Sequence, residues 1–161
     1  MTEAGSEIGP ASGRIRDGVH EFPVRVYYED TDAAGLVYHA QYLAFIERAR
    51  TEMMRLLGID HSTLRAAHGV AFVVRHAELD FRRAARLDDA LVIETRIVEQ
   101  SGASLLIEQR VRRIDLAGRT DLVTGRLRLA LIDDRLKPAR VPAALRRAIV
   151  AVAASPIREE A

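Results

Sequence analysis

Along residues 22–133 the apolar side chains switch from strand-like to helical spacing and back, and that switch lays out the architecture. Val24, Val26, Tyr27 and Tyr28 are strand formers and predict a first strand over Phe22–Glu29, with Pro23 near its start where a missing donor does least harm. From Tyr38 the apolar residues fall at Tyr42, Ile46, Ala49, Met53, Leu56 and Leu57, one face of a helix from about His39 to Leu57 that Gly58 stops. Asp60 to Gly69 reads as a short second helix or turn, which Asp60 or Ser62 can cap. Four segments rich in Val, Ile and Leu follow: Val70–Arg83, Ala90–Gln100, Ser104–Ile114 and Asp121–Ile132. Their breaks at Leu87-Asp88-Asp89, Ser101-Gly102 and Ala117-Gly118 predict hairpins, hence antiparallel neighbours. About five strands and one long helix inserted after the first make an α+β chain, in which a curved antiparallel sheet wraps round the helix.

Beyond that stretch the pattern weakens. Residues 1–20 are rich in Gly, Ser, Ala and charge, follow neither period, and read as a flexible N-terminal extension. Pro138 ends the last strand, Pro142 opens an amphipathic helix, and the residues on to Ala161 read as a disordered tail. The expected organisation is one domain over 21–138, with a C-terminal helix and tail over 139–161. A length of 161 residues at 48% hydrophobic content suits a single core.

Composition then removes several functions. A net charge of +1 from 24 basic and 23 acidic residues offers no bulk attraction to nucleic acid or to an anionic membrane. The absence of cysteine excludes disulfides, thiolate metal sites and cysteine nucleophiles. No apolar run approaches the ~20 residues of a membrane helix, and the N-terminus lacks a secretory pattern, so the expectation is a cytoplasmic protein without an integral membrane segment. His61, His68 and His76 have no metal-ligand spacing, and no metal or separate cofactor is expected.

Chemistry concentrates between the first strand and the long helix. Glu29, Asp30 and Asp32 cannot all sit inside a packed strand, so the chain leaves the sheet near Asp30, turns at Gly35 and feeds a helix N-terminus. The first amides of a helix have no partner within it and carry the positive end of its dipole, so they can hold an oxyanion. Asp32 beside them would place a base or nucleophile next to the electrophilic site, an acyl-transfer layout. The same Asp-x-x-Gly spacing also serves an ordinary capping loop, in which Asp32 only accepts helix N–H bonds.

The longer string decides between these. Asp30-Thr31-Asp32-Ala33-Ala34-Gly35-Leu36-Val37-Tyr38-His39-Ala40-Gln41-Tyr42, followed by Glu47-Arg48-Ala49-Arg50-Thr51-Glu52, resembles the hotdog-fold acyl-CoA thioesterases of the 4-hydroxybenzoyl-CoA thioesterase type, nearest their Tol-Pal-associated (YbgC-like) branch. The likeness extends from about Phe22 to about Pro138, with matching stretches at Ala71–Arg75 and Ala85–Asp89. It implies the hotdog fold and hydrolysis of an acyl-CoA thioester to coenzyme A and a carboxylic acid, coenzyme A entering only as part of the substrate. Asp32 is then nucleophile or general base, and His39 supplies the oxyanion donor by its backbone N–H, helped by its imidazole, with Tyr38 beside it at the helix start. Gly35 serves the turn, Tyr42 a wall of the acyl pocket or plain core, and Glu47 a salt bridge to Arg50. Arg75, Arg82, Arg83 and Arg86 are candidates for the coenzyme A phosphates. Ser104, at a hairpin, approaches the active site of a neighbouring subunit in the resemblance. A homodimer or homotetramer is expected, because one helix covers only one face of the sheet. The alternative is a weakly catalytic interaction protein that binds acyl carrier protein or lipid-synthesis enzymes, peripheral to the inner membrane. A hotdog hydratase fits the Asp-x-x-Gly turn less well.

Overall fold

A computed structural model describes residues 8–153 and the backbone of 158–160. The elements are β1 (Arg14–Arg16), β2 (Val19–Arg25), α1 (His39–Leu56), α2 (His61–His68), β3 (Val70–Phe81), β4 (Ala90–Ser101), β5 (Ser104–Asp115), β6 (Gly118–Asp133), α3 (Ala143–Val152) and β7 (Arg158–Glu160). Six strands form an antiparallel sheet in the order β1-β2-β4-β5-β6-β3, and β7 adds in parallel to the end of β4 at Glu99–Ser101. This is the hotdog architecture, with α1 laid across one face of the sheet.

Helix α1 buries Tyr42, Phe45, Ile46, Ala49, Met53 and Met54. Against that stripe stand Leu91 and Ile93 of β4, Ile107 and Val111 of β5, and Leu127 and Leu131 of β6, alternate residues of each strand. Register shifts between Val74 and His76, between Ile97 and Glu99, and between Val111 and Arg112 bend the strands round the helix. A polar chain crosses the same interior. Arg50 Nη1 donates to Gln109 Oε1 at 3.0 Å, and Gln109 Nε2 donates to Thr95 Oγ1 at 2.9 Å and to Ile46 O at 3.0 Å. Arg50 also pairs with Glu47, as expected. Arg50 lies outside the apolar stripe expected of the helix, yet it is buried, while Leu56 within that stripe is 43% exposed.

Several expectations are corrected. The flexible extension fails for residues 14–20, which form β1 and the start of β2 and bury His20 completely; residues 1–7 lie outside the described residues. In the tail, Arg158–Glu160 pairs with β4, and the rest beyond Ala153 lies outside the described residues. The first strand ends at Arg25 rather than Glu29, because Asp30 turns inward. Its Oδ2 accepts from Tyr27 N–H at 2.8 Å, making a one-turn helix over Tyr28–Asp30 and leaving Tyr28 85% exposed. The break at residues 87–89 is not a hairpin: among the described residues β3 pairs only with β6, at the sheet edge, while β4 lies between β2 and β5. The 82–89 segment therefore crosses one end of the sheet, past the start of α1. Among the described residues no helix is long and apolar enough to span a membrane.

On the face away from α1, Glu21 accepts from Arg119 Nη1 at 2.5 Å and from Arg14 Nε at 2.8 Å. The Arg119 hydrogen bond first, then that of Arg14, pulls the Glu21 carboxyl down to about 2 from 4.5. A carboxyl with a depressed folded pKa stabilises the fold above its unfolded value, and the contribution fades as pH falls from 4.5 towards 2. Arg119→Ala should accordingly lower Tm most near pH 7, and the gap to wild type should close over that acid window in a thermal melt series.

Candidate active site

Asp32 closes a tight turn. Its N–H donates to Leu36 O at 2.8 Å, and its carbonyl accepts from Gly35 N–H at 3.0 Å. Its Oδ1 accepts from Ala34 N–H at 2.9 Å and from Leu36 N–H at 3.1 Å. Gly35 adopts φ +75°, and a Cβ there would meet nothing within 4 Å, so conformation rather than space demands glycine. Asp32 Oδ2 takes no hydrogen bond among the described residues. One oxygen anchors the carboxylate, and the other is free on the exposed side of the turn.

The capping reading placed Asp32 on the amides of the helix. In the structure it holds the amides of its own turn instead, and α1 begins at His39 with no side-chain cap and no acid in its first turn. The Gln41 N–H donates to Tyr38 O at 2.8 Å, and the earlier amides, that of His39 first, are left for another acceptor. Between the two, Asp30 is the structural carboxylate: it is 3% exposed, its Oδ1 accepts from Gln41 Nε2 at 2.8 Å, and its carbonyl accepts from Tyr38 N–H at 3.1 Å.

Aromatic rings gather at the helix start. Tyr38 and His39 lie with ring centroids 4.4 Å apart, and the Phe81 ring meets His39 edge-on at 6.5 Å and Tyr42 at 5.9 Å. Phe81 escaped the sequence reading. The available signal was an aromatic residue closing an apolar strand just before Arg82-Arg83. Tyr42 is buried, and its Oη accepts from Ala85 N–H at 2.9 Å.

The other candidates divide. Arg82 and Arg83 follow Phe81 directly and are exposed, Arg82 pairing with Asp80 at 3.1 Å. Arg86 bridges to Leu36, beside the Asp32 turn. Arg75 sits at the β3 bulge, roughly 20 Å along the strand from Phe81 at 3.3 Å per residue. Ser104 is not brought to Asp32 of the same chain: β4 starts beside that turn and ends at Ser101, roughly 35 Å away. There Ser104 Oγ lies 2.5 Å from Ser101 Oγ and accepts from Arg128 Nη1 at 3.3 Å. Among the described residues no cluster of His, Asp or Glu is arranged to hold a metal.

Two hollows differ in chemistry. A cavity of about 60 Å³ between the C-terminal half of α1 and the sheet is lined by Met53, Met54, Leu57, Ile97, Ile107 and Leu129, with Arg50 and Thr95 on one wall and Phe72–Val74 at the sheet edge. A larger one of about 500 Å³ on the opposite face is walled by Glu78, Asp80, Glu108, Arg110 and Arg126. The lining of the first is mostly apolar and that of the second mostly charged, so only the first matches an apolar ligand in chemistry.

Comparison with known proteins points the same way. The Thioesterase superfamily matches residues 34–118, just over half the chain, beginning two residues after Asp32. An acyl-CoA thioesterase YbgC from Haemophilus influenzae is 46% identical over 127 residues, covering 78% of this chain and 90% of that protein. Among solved structures, a probable thioesterase from Bartonella henselae superposes with a TM-score of 0.71 at 42% identity, over 77% of this chain and 99% of that one. A 4-hydroxybenzoyl-CoA thioesterase carrying D17N, in complex with 4-hydroxybenzoyl-CoA, superposes with a TM-score of 0.77 at 20% identity over 82% and 99%, a likeness of fold.

Proposed function

The chain belongs to the Thioesterase superfamily, and from that premise we propose that it hydrolyses acyl-CoA thioesters at the Asp32 turn. The observation that carries the reading is a carboxylate fixed through one oxygen and open at the other, on the turn that leads into the uncapped N-terminus of α1. The thioester carbonyl carbon lies at Asp32 Oδ2, with its oxygen on the backbone N–H of His39. As that carbon becomes tetrahedral, charge moves onto the oxygen, and the amide and helix dipole stabilise it more than they stabilise the ground-state carbonyl. Asp32 acts in one of two ways. It attacks, giving a mixed anhydride and the coenzyme A thiolate, after which water cleaves the anhydride; or it takes a proton from the water that attacks. Both routes end in coenzyme A and a carboxylic acid. Arg82 and Arg83, exposed at the mouth, suit the coenzyme A phosphates.

The reading includes a second copy of the chain. Edge strand β3 is 12 residues long, and its helix-facing side leaves Val74 48% and Phe81 48% exposed. A long apolar edge of this kind calls for cover. Antiparallel pairing of two copies about the middle of β3 sets the Phe72–Val74 end of one strand beside the Phe81 end of the other. The apolar cavity of one protomer then opens towards the Asp32 turn of its partner and receives the acyl tail. Free-thiol release from short, long and aromatic acyl-CoA thioesters by the purified protein tests the activity. Turnover is expected on at least one class, and rates no faster than buffer on all of them would overturn it.

A further inference from the structure

We propose that Tyr42 is a positioning residue: its buried hydroxyl holds the 82–89 crossover against the Asp32 turn, and so fixes the carboxylate relative to the first amides of α1. The inference deepens the thioesterase reading and rests on it for its kinetic arm.

Tyr42 lies three residues after His39, about one helical turn into α1. Its side chain points inward, 3% exposed, and its Oη accepts from Ala85 N–H at 2.9 Å. Ala85 is fully buried on a segment outside the strands, so that N–H has no ladder partner. On its other side, the Ala85 carbonyl accepts from Val37 N–H at 2.9 Å. One residue of the crossover is therefore gripped by α1 through its donor and by the Asp32–Tyr38 segment through its acceptor. One further bond continues the seam: Leu87 N–H donates to Gly35 O at 3.2 Å, and together with the Val37–Ala85 bond it makes the Leu36–Arg86 bridge. Leu36 N–H in turn holds Asp32 Oδ1. These bonds link Tyr42 Oη to the carboxylate, beside the Gln41 Nε2 and Tyr38 N–H bonds that tie the start of α1 to Asp30. The crossover is also fastened from behind, where Asp88 N–H donates to Val26 O and Val26 N–H to Asp89 O, both at 3.0 Å. Among the described residues the Tyr42 bond is the one hydrogen bond that ties it to the helix that carries the oxyanion donors.

A phenylalanine would fill the same space against Phe45 and Phe81, whose ring centroids lie 6.3 and 5.9 Å away. What it lacks is the acceptor, and a buried amide deprived of its acceptor pulls its segment towards another partner. Catalysis that depends on near-attack placement is sensitive to such shifts, since about 1 Å of displacement can cost up to roughly a hundredfold in rate.

The test compares wild type, Tyr42→Phe and Phe45→Leu as full chains, by amide hydrogen exchange and by steady-state kinetics on the acyl-CoA that wild type turns over fastest. In Tyr42→Phe the Val37 and Leu87 amides should exchange about tenfold faster, and kcat should fall about tenfold with KM within about twofold. Phe45→Leu trims the same aromatic cluster without touching the hydroxyl, so it should lower Tm yet leave both readouts near wild type. Unchanged exchange at Val37 and Leu87 would overturn the clamp. Faster exchange with an unchanged kcat would overturn the positioning role. Should wild type hydrolyse no thioester, the activity assignment fails by itself, and the exchange measurement still decides the clamp.

Discussion

Val74→Asp should convert the protein to a monomer and remove at least about 99% of its thioester turnover, with the circular dichroism of the fold kept. The side chain is on the helix-facing side of the edge strand, half exposed, and it lines the apolar cavity where that cavity reaches the edge. In an isolated chain a carboxylate there stays hydrated and costs little. Between two paired β3 strands it is buried without a partner, a penalty of several kcal/mol that weakens association by roughly a thousandfold or more. Activity should follow, because in the proposed dimer the cavity for the acyl tail and the Asp32 turn come from different copies. Sedimentation or light scattering beside the kinetic assay separates the outcomes. A variant that remains dimeric at wild-type mass places the interface elsewhere. A monomer with full activity would mean that one protomer holds a complete site.

Much of this frame was legible in the sequence because it follows from periodicity. The long helix and the four strands after it lie within a few residues of their expected bounds, since alternate burial along each strand and a 3.6-residue stripe on α1 are local signals. What escaped was set by tertiary partners. Arg50 reads as a solvent-facing charge until Gln109, 59 positions away, accepts from it inside the core. Strand pairing of residues 14–16 with 19–21 depends on a two-residue reversal at Asp17-Gly18, both at positive φ, within a segment whose composition resembles a linker. The 87–89 break has hairpin chemistry, but β3 and β4 belong to different parts of the sheet, and short length alone does not reveal a crossover.

The candidate site shows the same division. Asp32, Gly35, Tyr38 and His39 stand together because they are contiguous, and a motif carries its own turn. Tyr42, read as pocket wall or core, turns out to bond a backbone amide 43 positions away, which no local pattern encodes. Ser104 and Arg75 are far from Asp32 within one chain, so any part they play there has to come from another copy.

Asp32→Asn keeps the shape of the turn, because an amide oxygen can still accept from the Ala34 and Leu36 N–H groups that hold Oδ1 in the native protein. It removes the negative charge and leaves NH₂ where the free oxygen was, so neither attack on a carbonyl nor proton abstraction from water is open to it. Loss of a nucleophile or general base costs on the order of a hundredfold to ten-thousandfold in kcat, while groups that only bind substrate are untouched. The decisive measurement is the steady-state rate of free-thiol release from one acyl-CoA by wild type and Asp32→Asn, with Tm recorded for both. The carboxylate mechanism predicts a kcat at least about a hundredfold lower, with KM and Tm close to wild type. An Asp32→Asn protein that is folded and releases thiol at near wild-type kcat would contradict it.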